Sequence, residues 1–248
     1  MHLDVIEIRN FYQGRLGQLV REQISLEIQR VWSDENTGSM DKLSIAGIGY
    51  AVPYLEDFLK KAKSVSAFCP AGQGAIVWPS EGARRSVLVH DDMFPVEDDC
   101  FDRIIAVHGL EFIADAKAHL DEVWRVLKPQ GRFLIIVPNR RGLWARVDTT
   151  PFGNGQPYSR GQLHELLCGA RFSPHGVHPL IHFAPFDTAF RITANSAIER
   201  IGSKVWPHFS GALMIEAVKE TVQPVQAEGV RVLNPKRARQ TATKPAPA

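Results

Sequence analysis

The stretch "GRFLIIVPN", Gly131 to Asn139, constrains this chain more than any other. Phe133 to Val137 are five consecutive large apolar residues. Side chains of a strand alternate between two faces, so such a run makes a strand covered on both sides. Strands of that kind belong to parallel sheets with helices on each face. The remainder of the chain meets that demand. "LSIAGIG", "SVSAFCP", "SVLVHDD" and "FDRIIAVHG" are four more short apolar strands upstream. "YLEDFLKKA" reads as the helix after the first, with Pro53 in its opening turn, where a missing N–H is harmless. "DAKAHLDEVWRVLK" sets Ala118, Leu120, Val123, Trp124 and Leu127 on one helical stripe. "SRGQLHELLCGA" is a further helix with Ser159 as N-cap. Strands alternating with helices indicate βαβ units, hence an α/β fold. "ALMIEAVKE" reads as a last strand, with a short helix as the alternative.

Before this unit, "LGQLVREQISLEIQRVW" places Leu16, Leu19, Val20, Ile24, Ile28, Val31 and Trp32 at helical spacing. Residues 1–40 are therefore expected to form a helical segment packed on the body, and residues 41–222 the main domain. After Gln223 the composition turns basic and proline-containing, ending in "NPKRARQTATKPAPA", which reads as a disordered tail over 223–248. Its Lys236, Arg237, Arg239 and Lys244 can meet RNA or an acidic partner; an inert solvated tail is the plainer reading.

With 44% hydrophobic and 23% charged residues among 248, a core is within reach. The formal charge of +2 is too small to argue for nucleic acid. Three scattered cysteines suggest neither a disulfide framework nor a zinc knuckle. The early acids of "MHLDVIEIRNFYQGRLG" do not resemble a signal peptide, and no apolar run approaches a membrane helix. A cytoplasmic location is the expectation.

The segment from Asp91 to Asn139, "DDMFPVEDDCFDRIIAVHGLEFIADAKAHLDEVWRVLKPQGRFLIIVPN", carries a resemblance. It is similar to class I S-adenosylmethionine-dependent methyltransferases, in particular the small-molecule type with a "RVLKPGG" turn, here Arg125 to Gly131. The resemblance implies a Rossmann-like, mostly parallel seven-stranded sheet with the last strand antiparallel. It also implies S-adenosyl-L-methionine as cofactor and transfer of its methyl group to a small-molecule or protein acceptor. Pro129 and Gly131 by themselves only break the helix and turn the chain into the next strand.

Carried over residue by residue, the family's glycine motif falls on Gly47, Gly49 and Ala51. Glycine lets backbone approach a ligand closely. Two family acids are missing. Ile45 stands two residues before the first glycine, and Cys69 stands where a carboxylate accepts the ribose hydroxyls. A thiol is a poor acceptor, and the loss is expected to cost about 1.5–3 kcal/mol of affinity. The third-strand acid falls near His90, with Asp91 or Asp92 able to supply it and Met93 able to cover the adenine.

His108 ends the fourth strand, at the edge where open α/β sheets bind ligands. It is a candidate base or cofactor contact, and equally a hydrogen-bonded histidine at a strand end. The loop "VPNRRGLWARVDTTPFGNGQPYSRGQL" offers Arg141 and Arg146 for an anionic group, with Trp144 and Tyr158 as aromatic walls. His164, His175, His178 and His182 lack zinc-like spacing, so no metal is expected. The depleted acids leave a rival reading, a catalytically inactive scaffold of the same fold acting through a protein partner.

Overall fold

The computed structural model of the chain describes residues 3–33, 39–185 and 210–220. Seven strands form one sheet: β1 Ser44–Gly49, β2 Ser64–Pro70, β3 Ser86–Val89, β4 Phe101–Val107, β5 Leu127–Pro138, β6 Ser173–Leu180 and β7 Ala212–Val218. Their order is β3-β2-β1-β4-β5-β7-β6. The first five pair in parallel, and β7 lies antiparallel between β5 and β6. This is the seven-stranded arrangement that the resemblance implies, and "ALMIEAVKE" is indeed a strand. From β1 the chain first builds outward through β2 to β3, then returns to place β4 on the other side. Beyond the ends of β1 and β4 lies the switch point where such sheets bind ligands.

The apolar run of β5 is buried throughout from Phe133 to Pro138. Ile135 and Val137 face one core; Leu134 and Ile136 face the other. Helices α4 (Ala116–Val126) and α5 (Arg160–Gly169) cover the first of these faces with Leu120, Val123, Leu163 and Leu167. Asp115 caps α4 by accepting from the Lys117 and Ala118 N–H groups, and Ser159 with Gln162 closes a capping box on α5. The opposite face is covered by α1 (Val5–Gln13), α2 (Arg15–Val31) and the short α3 (Val52–Leu55). Leu16, Val20, Ile24 and Ile28 supply the buried stripe of α2, as their spacing predicts. A Cβ at Gly17 would lie 2.1 Å from Phe11 O, so the tight corner between α1 and α2 needs glycine there.

Two local readings change. The helix after β1 is shorter than "YLEDFLKKA": α3 gives way at Glu56 to a single 3-10 turn ending at Phe58. The "RVLKPQG" segment is not a turn between helix and strand. β5 begins at Leu127, directly after α4, and pairs with β4 through Phe101–Leu127 and then Arg103–Arg132. Residues 128–131 therefore bulge out of the ladder opposite Asp102 alone, with Gln130 at φ 61°. Lys128 uses the bulge to reach both Asp102 carboxylate oxygens, at 3.0 and 2.9 Å. Asp102 also accepts the Ser44 N–H, tying the start of β1 to β4. The basic C-terminal segment lies outside the described residues.

Candidate active site

The turn after β1 is held by its neighbours. Gly49 has φ +72°, and a Cβ there would lie 2.5 Å from Val107 O and 2.7 Å from His108 O. A Cβ at Gly47 would meet Leu55 and Ala51 at 2.6 and 2.7 Å. Both glycines are thus required for packing, Gly49 against the end of β4 and Gly47 against α3. Ala51 is buried at the start of α3. Tyr50 N–H donates to Val107 O at 2.7 Å, closing the two strand ends together.

His108 sits on this junction, 1% exposed and at φ 49°. A non-glycine residue in the left-handed region is uncommon and concentrates at functional sites. Its ring is engaged on both sides. Nδ1 lies 3.0 Å from Glu111 Oε1 and Nε2 lies 2.9 Å from the Tyr12 hydroxyl. In the tautomer that serves both contacts, Nδ1–H donates to Glu111 and Nε2 accepts from Tyr12. Tyr54 in turn donates to the Tyr12 oxygen at 3.1 Å. The result is a buried chain Tyr54–Tyr12–His108–Glu111. Burial, followed by the neighbouring Tyr54, pushes the Tyr12 hydroxyl well above the usual phenol range, so it stays protonated.

Beside this chain a narrow crevice opens past the ends of β2, β3 and β4, lined by Pro70, Gly72, Gln73, Asp91, Gly109, Phe112 and Ile113. Its volume is about 10 Å³, room for about one water. A wider cleft of about 380 Å³ lies between α1, α3 and the 71–85 connection, with Arg9, Arg21, Tyr50, Glu56 and Trp78 on its walls.

The residues expected from sequence divide accordingly. Gly47, Gly49, Ala51 and His108 come together at the β1–β4 edge, and Asp91 lines the crevice. Cys69 is buried, and burial pushes its thiol up to about 11. Asp92 is exposed and pairs with His90 at 2.5 Å; Met93 is also exposed. On the loop after β5, Arg141 and Arg146 are exposed. Trp144 is buried against Phe11, Phe152 and Phe183 and donates its indole N–H to Phe183 O at 2.6 Å. Tyr158 is buried with its hydroxyl toward Leu110 O. Tyr12 and Gln73 had no local signal in the sequence: Tyr12 meets His108 across 96 positions, and Gln73 sits in a loop.

Residues 46–135 match a family model described as a methyltransferase domain. Over these residues the chain is similar to the class I S-adenosylmethionine-dependent methyltransferases. That family uses S-adenosylmethionine as methyl donor. A demethylmenaquinone methyltransferase of Corynebacterium glutamicum is 31% identical over 130 residues, covering 49% of this chain and 54% of the relative. The chain thus spans about half the length of the curated relatives it matches. Among solved structures, a chain of the Haloferax volcanii complex between a methyltransferase and its Trm112 activator aligns at TM-score 0.61. It is 15% identical and covers 89% of this chain and 100% of that one. A methyltransferase from Archaeoglobus fulgidus aligns at 0.54 with 14% identity, covering 80% and 94%. At these identities the structures show the fold alone.

The residues of the methyltransferase domain fit the donor in kind. Two acceptors nearby, Gln73 Oε1 and Glu111 Oε2, are buried without a hydrogen-bond partner, as a ligand rich in hydroxyl and amine groups requires. The space is smaller than the donor: sites for small molecules run to roughly 300–1,000 Å³. Admitting it requires the crevice walls to part. No helix among the described residues is long and apolar enough to cross a membrane.

Proposed function

We propose that this chain is an S-adenosylmethionine-dependent methyltransferase acting on an anionic acceptor with an apolar or aromatic body. The observation that carries this reading is the pair of unpartnered buried acceptors beside the Gly49 turn, at the switch point of a methyltransferase sheet. The donor's methyl group is already activated for transfer, so the protein's share is chiefly to position the reactants. Gly47, Gly49 and Asp91 border the donor. Tyr12 lines the wider cleft and occupies His108 Nε2, so a proton from the acceptor reaches His108 only through the Tyr12 hydroxyl. Arg141 and Arg146 hold the acceptor's anionic group by forked hydrogen bonds, and Trp144 and Tyr158 stiffen the loop behind them. The Corynebacterium relative, named for demethylmenaquinone, supports an acceptor of apolar character.

A second reading has its own support. The closed crevice and the buried, neutral Cys69 favour a scaffold that no longer transfers methyl groups. Titration calorimetry with S-adenosylhomocysteine separates the two. Binding in the micromolar to submillimolar range supports the enzyme. An absence of heat and of thermal shift at millimolar ligand refutes it in favour of the scaffold.

A further inference from the structure

The resemblance assigns the ribose anchor at the end of β2 to position 69. Cys69 cannot serve there: it is 2% exposed and its thiol stays neutral. We infer that Gln73, four residues on, is the anchor for the hydroxyl groups of a ribosyl ligand, and that its side-chain oxygen is the accepting atom. The inference rests on the proposed methyltransferase reading and deepens it.

Three of the four hydrogen-bonding groups of Gln73 are spoken for. Its N–H donates to Pro70 O at 2.9 Å, making the tight turn that ends β2. Its backbone oxygen accepts the Val5 N–H of α1, also at 2.9 Å. Its Nε2 donates to His108 O at 2.7 Å, which fixes the carboxamide against the end of β4. Only Oε1 lacks a partner, on a residue 4% exposed. An acceptor left unpaired in the interior is unfavourable, and native proteins seldom keep one without a reason. Here the residue lines a crevice at the ligand edge of the sheet.

The other walls narrow the chemistry. Phe112, Ile113 and Pro70 in the lining suit a flat, largely apolar body. A carboxamide oxygen held by its own Nε2 bond needs a donor, and an alcohol of a sugar supplies one. The 3-10 turn Leu110–Phe112 carries one wall, and Val5 of α1 holds the loop that carries the other. Opening the crevice therefore means parting those two supports while Gln73 stays tied to β4.

The test compares S-adenosylhomocysteine with its 2′-deoxyribose analogue by titration calorimetry, on the full chain and on Gln73→Met and Cys69→Ser. Gln73→Met should weaken S-adenosylhomocysteine about five- to tenfold, the worth of one hydrogen bond. It should leave the weaker binding of the deoxy analogue nearly unchanged. Cys69→Ser should change the binding of neither ligand. A general loosening of the loop would weaken both ligands by one factor; that result, or no change with Gln73→Met, overturns the assignment while leaving the methyltransferase reading intact. Failure of the unaltered protein to bind either ligand overturns both.

Discussion

Strand β5 runs from Leu127 to Pro138 between two neighbours, whereas β3 runs only from Ser86 to Val89 at the edge of the sheet, with Val87 and Leu88 open to solvent. The same contrast extends to their connections. On the β4–β5–β7–β6 side, α4 and α5 are full helices, capped and amphipathic. On the β1–β2–β3 side the β1–β2 link holds one short helix, and residues 71–85 and 90–100 run as turns and extended loop. Exposed Val77, Val87, Leu88 and Met93 all lie on this side. The sheet is one, but its stability is unevenly supplied. The helix-covered half is an ordinary buried core. On the loop-covered half, β1 and β2 have the N-terminal helices as cover on one face, with Ile45, Val65 and Ala67 in the same core as Val20 and Ile24. α2 lies on the face opposite α4 and α5 and reaches from the turn after β1 to β7 and β6, with Arg21 paired to Glu56 at 2.9 Å, Glu27 to His178 at 2.9 Å, and Trp32 donating to Glu216 at 3.0 Å. α1 closes the ligand edge through Val5 and Tyr12.

This division also explains what the sequence discloses. The helix-covered half is written in local signals: five apolar residues in β5, a stripe in α4, a Ser-x-x-Gln box on α5. Each is decided within a dozen residues, so periodicity and capping chemistry suffice. The ligand edge is written in contacts between distant segments. His108 was visible because it ends a strand, but the partner of its Nε2 comes from a helix at the other end of the chain. Gln73 looks like any loop residue until its Nε2 is seen on His108 O. Cys69 stands out in the sequence only by its place in a family motif; burial makes it part of the core. The bulge at residues 128–131 was hidden for a different reason. Proline and glycine announce a break in regular structure but do not say whether a loop or a bulged strand accommodates it.

The largest expected effect tests whether the two halves are joined by aromatic packing. Trp144 leaves the helix-covered half on the loop after β5 and packs on Phe11 of α1, 6.4 Å between ring centroids. Trp144→Ala should cost about 3–5 kcal/mol of stability, in the range of large aromatic truncations in cores. Urea unfolding measures it. A loss below about 1 kcal/mol would mean that the halves are coupled elsewhere, because a buried aromatic that carries the joint cannot be removed so cheaply.

Next comes the latch of α1 on the ligand edge. Tyr12→Phe keeps the ring, its stack on Tyr50 and its volume, but removes the donor to His108 Nε2. A buried acceptor left unpaired costs about 1–3 kcal/mol. Amide exchange should quicken in α1 and in the 71–76 loop and stay unchanged in α4 and α5. Uniform acceleration would contradict the division of the molecule into two differently supported halves.

A smaller effect is expected at the far end of α2. Burial pushes the Glu27 carboxyl up, but hydrogen bonds from His178 and Arg30 outweigh it and bring it from the ordinary 4.5 down to about 2. A depressed carboxylate stabilises the fold above its unfolded pKa and loses that contribution as pH falls through the folded value. The Glu27 contribution should thus be complete above about pH 4.5 and fade toward pH 2. Partial exposure limits it to about 1 kcal/mol or less. Glu27→Gln should lower the urea midpoint at pH 6 and converge on the unaltered protein as the pH approaches 2. A constant gap across that range would assign the effect to packing instead of charge.

The smallest expected effect sets β3 directly against β5. Leu88 is 55% exposed, so Leu88→Ser removes little area from burial and should change stability by less than about 0.5 kcal/mol, as surface substitutions do. Leu134 in β5 is fully buried, and Leu134→Ala should cost about 2–5 kcal/mol. Both are leucines on strands of one sheet, so β-propensity alone would predict similar penalties. Their difference isolates burial as the cause. Were Leu88→Ser to cost as much as Leu134→Ala in dilute solution, Leu88 would have to be covered in the folded protein by something the monomer does not supply. Unfolding midpoints that rise with protein concentration would then identify the cover as a second copy of the chain, because only an associating native state gains stability by mass action. Midpoints independent of concentration, with the small penalty expected, leave β3 as a short exposed edge whose leucine contributes little to the fold.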